Sequence, residues 1–321
     1  MSSVSIPSLP RSGSTAWLFP GQGAQAVGMG RDLYADVPAA RAVFDAADEA
    51  LGFPLSTLCF EGPEDELTRT INTQPALVTH AIAALVAAID CGTLHEGPAY
   101  LAGHSLGEYA ALIAAGAVSF EDGIRLVRER GRLMQEACDA QAGTMAAILG
   151  LERDQVASIC GEHGASLCNE NAPGNISIGG TLEAVRAASE AATSAGASRV
   201  VPLNVAGAFH TPLMQSAADG MRIVLGSTTF ADPQTPVVSN VNAKPLTLGS
   251  QLANELTEQI TAPVLWVDGV RAMLAAGCTS FVEFGPGRVL TGALKRTERS
   301  AAVRNIGTTA EARGEAGEAG E

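Results

Sequence analysis

Ser105 stands in Gly103-His104-Ser105-Leu106-Gly107, a G-x-S-x-G pattern that can present a serine hydroxyl as a nucleophile. Such a hydroxyl must sit on a tight strand-to-helix turn, where flanking glycines permit strained backbone and close approach of neighbouring strands. The start of the following helix then directs amide N–H groups toward a developing oxyanion. Five small residues match this pattern by chance, so the flanks carry the weight. Ala99 to Ala102 is a short apolar run that stops at Gly103, and Leu106 to Ala115 consists almost wholly of helix formers.

A serine hydroxyl needs a base, and the chain has five histidines. His80 lies in an apolar helical run and reads as a packed core residue. His95 falls in a loop, and His163 ends a helical pattern, where a cation suits the helix dipole. His104 adjoins the serine, but neighbours on a turn point apart. His210, in Gly207-Ala208-Phe209-His210-Thr211-Pro212, follows a strand pattern, and catalytic groups gather in loops at strand ends. It is the leading candidate. Arg125, Arg128, Arg130 and Arg132 share one helical stretch. Such a run reads as a solvated charged face, yet one arginine turned inward could hold a substrate carboxylate through a bidentate fork. The residues alone do not choose which.

The elements that must position these groups alternate along the chain. Ala16 to Phe19 is a buried strand pattern ending in Pro20-Gly21, and helical patterns follow at Ala39 to Leu51 and Gln74 to Ile89. The middle has its own rhythm: strand 144–149, helix 153–163, strand 166–171, strand 175–178, helix 182–195 and strand 199–203. This βαββαβ order is the ferredoxin-like pattern. Strand 236–240, helix 264–274 and strand 280–284 then resume the first rhythm. The simplest account is an α/β domain over 15–140 and 206–305, interrupted by a small α+β insert over 141–205. Residues 1–14 and 306–321 read as disordered, the second because Glu alternates there with Ala and Gly.

At 321 residues and 46% hydrophobic content the chain can bury a large core without disulfides or metals. Its six cysteines show no metal-type spacing and read as buried thiols. A net charge of −14 argues against a nucleic-acid partner. The longest apolar stretch, Ala76 to Ile89, is too short to span a bilayer, and no signal peptide is visible. A cytoplasmic protein without membrane association is expected.

Several motifs now taken together resemble the malonyl-CoA:acyl carrier protein transacylases. They are Phe19-Pro20-Gly21-Gln22-Gly23-Ala24-Gln25, the stretch Gly103 to Tyr109, Arg130-Gly131, Gly207 to His210, Asn240 to Ala243, and Phe284-Gly285-Pro286-Gly287. They occur in the family's order from about residue 16 to 300. The resemblance implies an α/β-hydrolase-like core with an inserted ferredoxin-like subdomain and a site in the cleft between them. It implies Ser105 as nucleophile, His210 as its base, and the main-chain amides of Gln22 and Leu106 as oxyanion hole. Arg130 would pair with the malonyl carboxylate, and the main-chain carbonyl of Gln259 would orient His210. Asn169 and Asn171 match an Asn-x-Asn-x-Pro-Gly stretch and are taken as structural. Malonyl-CoA and a phosphopantetheinylated acyl carrier protein would be the partners. Coenzyme A thioester is then a substrate, and no bound cofactor is expected. Gly-Ala-Phe-His resembles the malonyl-selecting form of that motif.

An acidic enzyme that meets an acidic carrier needs a local basic patch, and Lys295 and Arg296 are candidates for it. Cations closing a helix C-terminus are the competing account of the same residues. Three other functions use the same features: a stand-alone acyltransferase of a polyketide assembly line, a serine esterase or thioesterase, and a non-catalytic acyl-binding module. In the esterase class an acidic residue usually falls between serine and histidine. None stands out here between Ser105 and His210 in a strand-end loop.

Overall fold

A computed structural model of the chain describes residues 4–7 and 9–315. A six-stranded sheet forms the larger body. Its strands are β1 (Thr15–Phe19), β2 (Tyr100–Gly103), β7 (Val237–Val238), β8 (Pro245–Leu246), β9 (Ser280–Phe284) and β10 (Ala302–Ile306). The spatial order is β10-β9-β1-β2-β7-β8, parallel throughout except for the β7–β8 pair. β1 therefore lies inside the sheet, and its alternate residues feed two cores. Trp17 and Phe19 pack in the cluster on one face, Ala16 and Leu18 in the cluster on the other. That two-sided burial is why the strand reads as a continuous apolar run rather than an alternation.

The Thr70–Asp90 helix lies under one face of this sheet. By length and composition it could cross a membrane, but 94% of its most apolar window is buried inside the fold. It begins six residues before the apolar run Ala76 to Ile89, because Thr70, Asn72, Thr73 and Gln74 are also buried and help build it.

Between β2 and β7 the chain forms a second sheet of β3 (Thr144–Leu149), β4 (Ser166–Ala172), β5 (Asn175–Gly180) and β6 (Arg199–Pro202), in the order β4-β5-β3-β6 and antiparallel throughout. The Arg153–His163 and Leu182–Ser194 helices cover it around Ile148, Val156, Ile176 and Ile178. Polar contacts tie it to the larger body. Val264 N–H donates to Cys168 O at 2.8 Å, and the Arg153 guanidinium bridges Glu170 and, at 2.7 Å, Asp268.

Three expectations need correction. The strand anticipated at 236–240 spans only Val237–Val238, since the chain turns at Ser239, whose hydroxyl accepts from Val241 and Asn242 N–H. The leader is not disordered at 10–12, where Pro10 and Ser12 exchange main-chain bonds with Gly97 at 2.7 Å. At the other end, β10 joins the sheet and the Thr309–Ala312 helix follows. Thr308 and Glu311 cap it mutually, and Asp32 Oδ2 accepts from Thr309 N–H at 2.7 Å. The expectation of disorder for residues 1–3, 8 and 316–321 lies outside the described residues.

Candidate active site

β1, β2, β7 and β9 all release their chains at the same edge of the parallel sheet, where ligands of open α/β sheets bind. β2 ends at Gly103 and the next helix starts at Gly107, so Ser105 occupies the turn between them with φ 50°. A left-handed conformation at a non-glycine residue is strained and must be held by its surroundings. Packing does this. A Cβ on Gly107 would stand 2.0 Å from Phe19 O, and one on Gly103 would stand 1.9 Å from the Gly107 carbonyl carbon. Only glycines let β1, β2 and the helix close around the elbow. Asn240, just past β7, brackets it: its Oδ1 accepts from Ser105 N–H at 2.6 Å and its Nδ2 donates to Gly103 O at 2.7 Å.

His210 follows the insert, in a left-handed conformation of its own with φ 60°. Its Nε2 lies 2.8 Å from Ser105 Oγ, and its Nδ1 lies 2.8 Å from the main-chain oxygen of Gln259. A carbonyl can only accept, so the proton sits on Nδ1 and Nε2 offers its lone pair to the serine hydroxyl. Burial, and after it the charge of Arg130, push the imidazole down to about 3. It is therefore neutral at pH 7. The other histidines fall elsewhere. His80 is buried in the core, His95 and His163 are exposed, and His104 turns away to bond Asn171 Oδ1 at 3.0 Å.

Of the four arginines, Arg130 is the one turned inward, with 0% exposure. Its Nη2 donates to Ser105 Oγ at 3.1 Å and to Gln259 Oε1 at 3.0 Å, and its Nη1 donates to Gln74 Oε1 at 2.9 Å. Among the described residues Arg130 has no carboxylate partner, and its Nε finds no acceptor. Arg125 and Arg132 lie on the solvated face in short-range ion pairs. Arg128 departs from that expectation. It is half-buried, stacked over Phe53 and donating to Ile71 O, because the Thr70–Asp90 helix packs across its side.

Gln22 lies in the loop after β1, its side-chain Oε1 accepting from Gln74 Nε2 at 3.1 Å, and Leu106 directly follows the serine. Among the described residues the main-chain N–H of neither one finds an acceptor. Lys295 and Arg296 are exposed in the last turn of the Val289–Thr297 helix, apart from these groups. Lys295 Nζ donates to Arg299 O at 3.3 Å and Ala301 O at 2.9 Å. Gln74, Glu108 and Asn240 complete the cluster and were not assigned roles by the sequence. Asn240 had a signal, as the last residue of the strand pattern 236–240 and the first of the Asn240 to Ala243 motif. Glu108 lay within the Gly103 to Tyr109 motif, though nothing in it assigned the carboxyl a role, and Gln74 sits inside a helix and had no signal.

Together these groups can deprotonate a serine, hold an anion beside it, and accept negative charge at nearby amides. Among the described residues no group of three His, Cys, Asp or Glu could hold a metal ion.

The chain is similar to known proteins over most of its length. The acyl transferase domain family matches residues 16–314. The malonyl CoA-acyl carrier protein transacylase of Bacillus subtilis is 47% identical over 289 residues, covering 88% of this chain and 90% of that protein. The solved malonyl CoA-acyl carrier protein transacylase of Coxiella burnetii superposes with a TM-score of 0.90 at 35% identity, over 95% of this chain and 97% of that one. A malonyl-transacylase solved in complex with its type II PKS acyl-carrier protein gives 0.90 at 38% identity, over 94% and 98%. With its fold, its serine–histidine pair and these likenesses, the chain belongs to the acyl transferase family of the malonyl CoA-acyl carrier protein transacylases.

Proposed function

We propose that the chain moves malonyl from coenzyme A to the phosphopantetheine thiol of an acyl carrier protein, through an ester on Ser105. The observation that carries the reading is Arg130: a fully buried cation, without a carboxylate partner among the described residues, 3.1 Å from the nucleophile. A buried unpaired charge is costly, and arginine cannot shed its proton to escape the cost. An anion two carbons from the reacting carbonyl, as in malonyl, supplies the missing partner.

In the first half-reaction His210 Nε2 takes the Ser105 proton while Oγ attacks the thioester carbonyl. The oxyanion lies toward the amides of Gln22 and Leu106. Its collapse breaks the C–S bond, and the proton passes from His210 to the departing coenzyme A thiolate. The second half runs in reverse, with the carrier thiol as nucleophile and Ser105 as leaving group. The Gln259 carbonyl holds the Nδ1–H tautomer throughout, a task that needs no acidic third residue. The chemistry calls for no cofactor, since coenzyme A arrives as part of the substrate.

The architecture behind this reading is an α/β-hydrolase-like core, residues 15–140 and 206–305, with a ferredoxin-like insert at 141–205. Support comes from the parallel strands around β1 and from the β4-β5-β3-β6 order of the second sheet. A cytoplasmic role supplying malonyl units to fatty acid synthesis is the physiological form of the proposal. The test is intact-mass analysis after incubation with malonyl-CoA and no carrier. A malonyl adduct is expected on the wild type and none on Ser105→Ala. Absence of both adduct and released coenzyme A from the wild type would overturn the reading.

A further inference from the structure

Gln259 commits its main-chain oxygen and both ends of its side-chain amide to the site. Its main-chain oxygen holds His210, its Oε1 accepts from Arg130, and its Nε2 donates to Ser105 O at 3.0 Å and to the carboxyl of Glu108. A primary amide has nearly the same shape when turned by 180°, so its partners alone decide which end faces Arg130. Turned over, it would set an NH2 group against a guanidinium, two donors face to face. Ser105 O accepts one of the two Nε2 hydrogens, and Glu108 accepts the other.

We propose that Glu108 is a positioning residue for malonyl selection, fixing the Gln259 amide so that its oxygen faces Arg130. The inference rests on the reading of Arg130 as the carboxylate site. Glu108 suits the task by its place in the chain. It is the second residue of the helix that begins at the elbow, so the turn presenting Ser105 also fixes Glu108 beneath Gln259. It has 0% exposure. Among the described residues it makes no ion pair with Arg130 and meets Gln259 instead. Burial first, and then the carboxylate of Glu255, hold Glu108 well above the usual carboxylate range. Glu255 is itself held by the Ser239 hydroxyl at 2.6 Å and by Val241 N–H at 3.1 Å. Its carboxyl accepts from the amide, and the amide rather than the carboxyl meets Arg130, so the guanidinium stays without an ion pair until the substrate arrives.

The experiment compares loading of malonyl-CoA with that of acetyl-CoA, which lacks the carboxylate. Glu108→Met should lower kcat/KM for malonyl-CoA by about tenfold, the loss of one buried acceptor, and lower acetyl loading far less. Glu108→Gln keeps a carbonyl acceptor and should restore the preference. In a Gln259→Leu background, Glu108→Met should add no further loss of preference. If Glu108→Met fails to fold, Glu108→Asp, which withdraws the carboxyl by one methylene, should reduce the preference in the same direction. Equal falls for both thioesters, no fall for either, or a Glu108→Gln as unselective as Glu108→Met would overturn the proposal. A wild type that forms no malonyl ester, or whose preference Arg130→Ala leaves intact, would instead remove the reading of Arg130 itself.

Discussion

At the scale of single residues, Arg130 and His210 are coupled by charge, and that coupling can be measured. The guanidinium adds to burial in holding the imidazole neutral, so the base should stay ready far below the ordinary histidine value. The acid limb of kcat/KM for loading should therefore lie well under pH 6.5. Arg130→Ala removes the second-largest cause, and the limb should move to higher pH. The same substitution should cost about a hundredfold in kcat/KM for malonyl-CoA, the worth of a desolvated ion pair of roughly 3 kcal/mol, and much less for acetyl-CoA. A limb that stays in place would show that the charge of Arg130 does not set His210. Stability carries its own sign. The unfolded chain takes up a proton on this histidine near pH 6.5, whereas the folded one resists it down to about 3. Between those values the unfolded state binds more protons, so this group's contribution to stability falls as the pH drops through that window.

At the scale of elements, the elbow depends on close backbone approach, and two glycines in helices predict opposite outcomes. Gly107→Ala would gain helix propensity but drive a Cβ to 2.0 Å from Phe19 O. It should lower stability by about 3 kcal/mol, the upper end of overpacking costs, and loading should fall with it as Ser105 is displaced. Gly161, in the exposed Arg153–His163 helix, has nothing within 4 Å of an added Cβ. Gly161→Ala should raise stability by about 0.5–1 kcal/mol. Urea midpoints of the two variants decide, and equal shifts would remove the packing argument. This scale also explains what could be read in the sequence. β1, β2, β9 and the six elements of the insert were legible because each is apolar in its own period and bounded by turn residues. The C-terminal strand and helix were not. Their order depends on Asp32, 277 residues away, and on pairing with β9, while the alternation of Glu, Ala and Gly nearby points locally to disorder. The pairing of Ser105 with His210 was legible because each residue follows a strand pattern within a motif. Glu108 was not, because its meaning comes from Gln259, 151 residues later.

At the scale of the whole molecule, a chain with net charge −14 has to meet an acidic carrier, and the field between them is repulsive on average. Productive encounter then needs a basic patch near the mouth of the site. The Val289–Thr297 helix starts just after the Gly285–Gly287 turn, where a Cβ on Gly285 would stand 2.5 Å from Pro20 in the loop after β1. Its last turn, with Lys295 and Arg296, is about 10 Å further along. These two cations are not equivalent. Lys295 binds the carbonyls of Arg299 and Ala301 and so holds the turn into β10, whereas Arg296 is exposed and makes no ion pair among the described residues. Arg296→Glu should therefore report docking with little loss of stability, and Lys295→Met should report the turn. For Arg296→Glu the expected result is a several-fold higher carrier KM at low salt, about 1 kcal/mol, with the malonyl-CoA KM spared. The gap from wild type should close as ionic strength rises and the Debye length shortens to under about 8 Å. A carrier KM that does not change at low salt would move the docking surface off this helix, and Lys295 and Arg296 would then serve only to close its C-terminus.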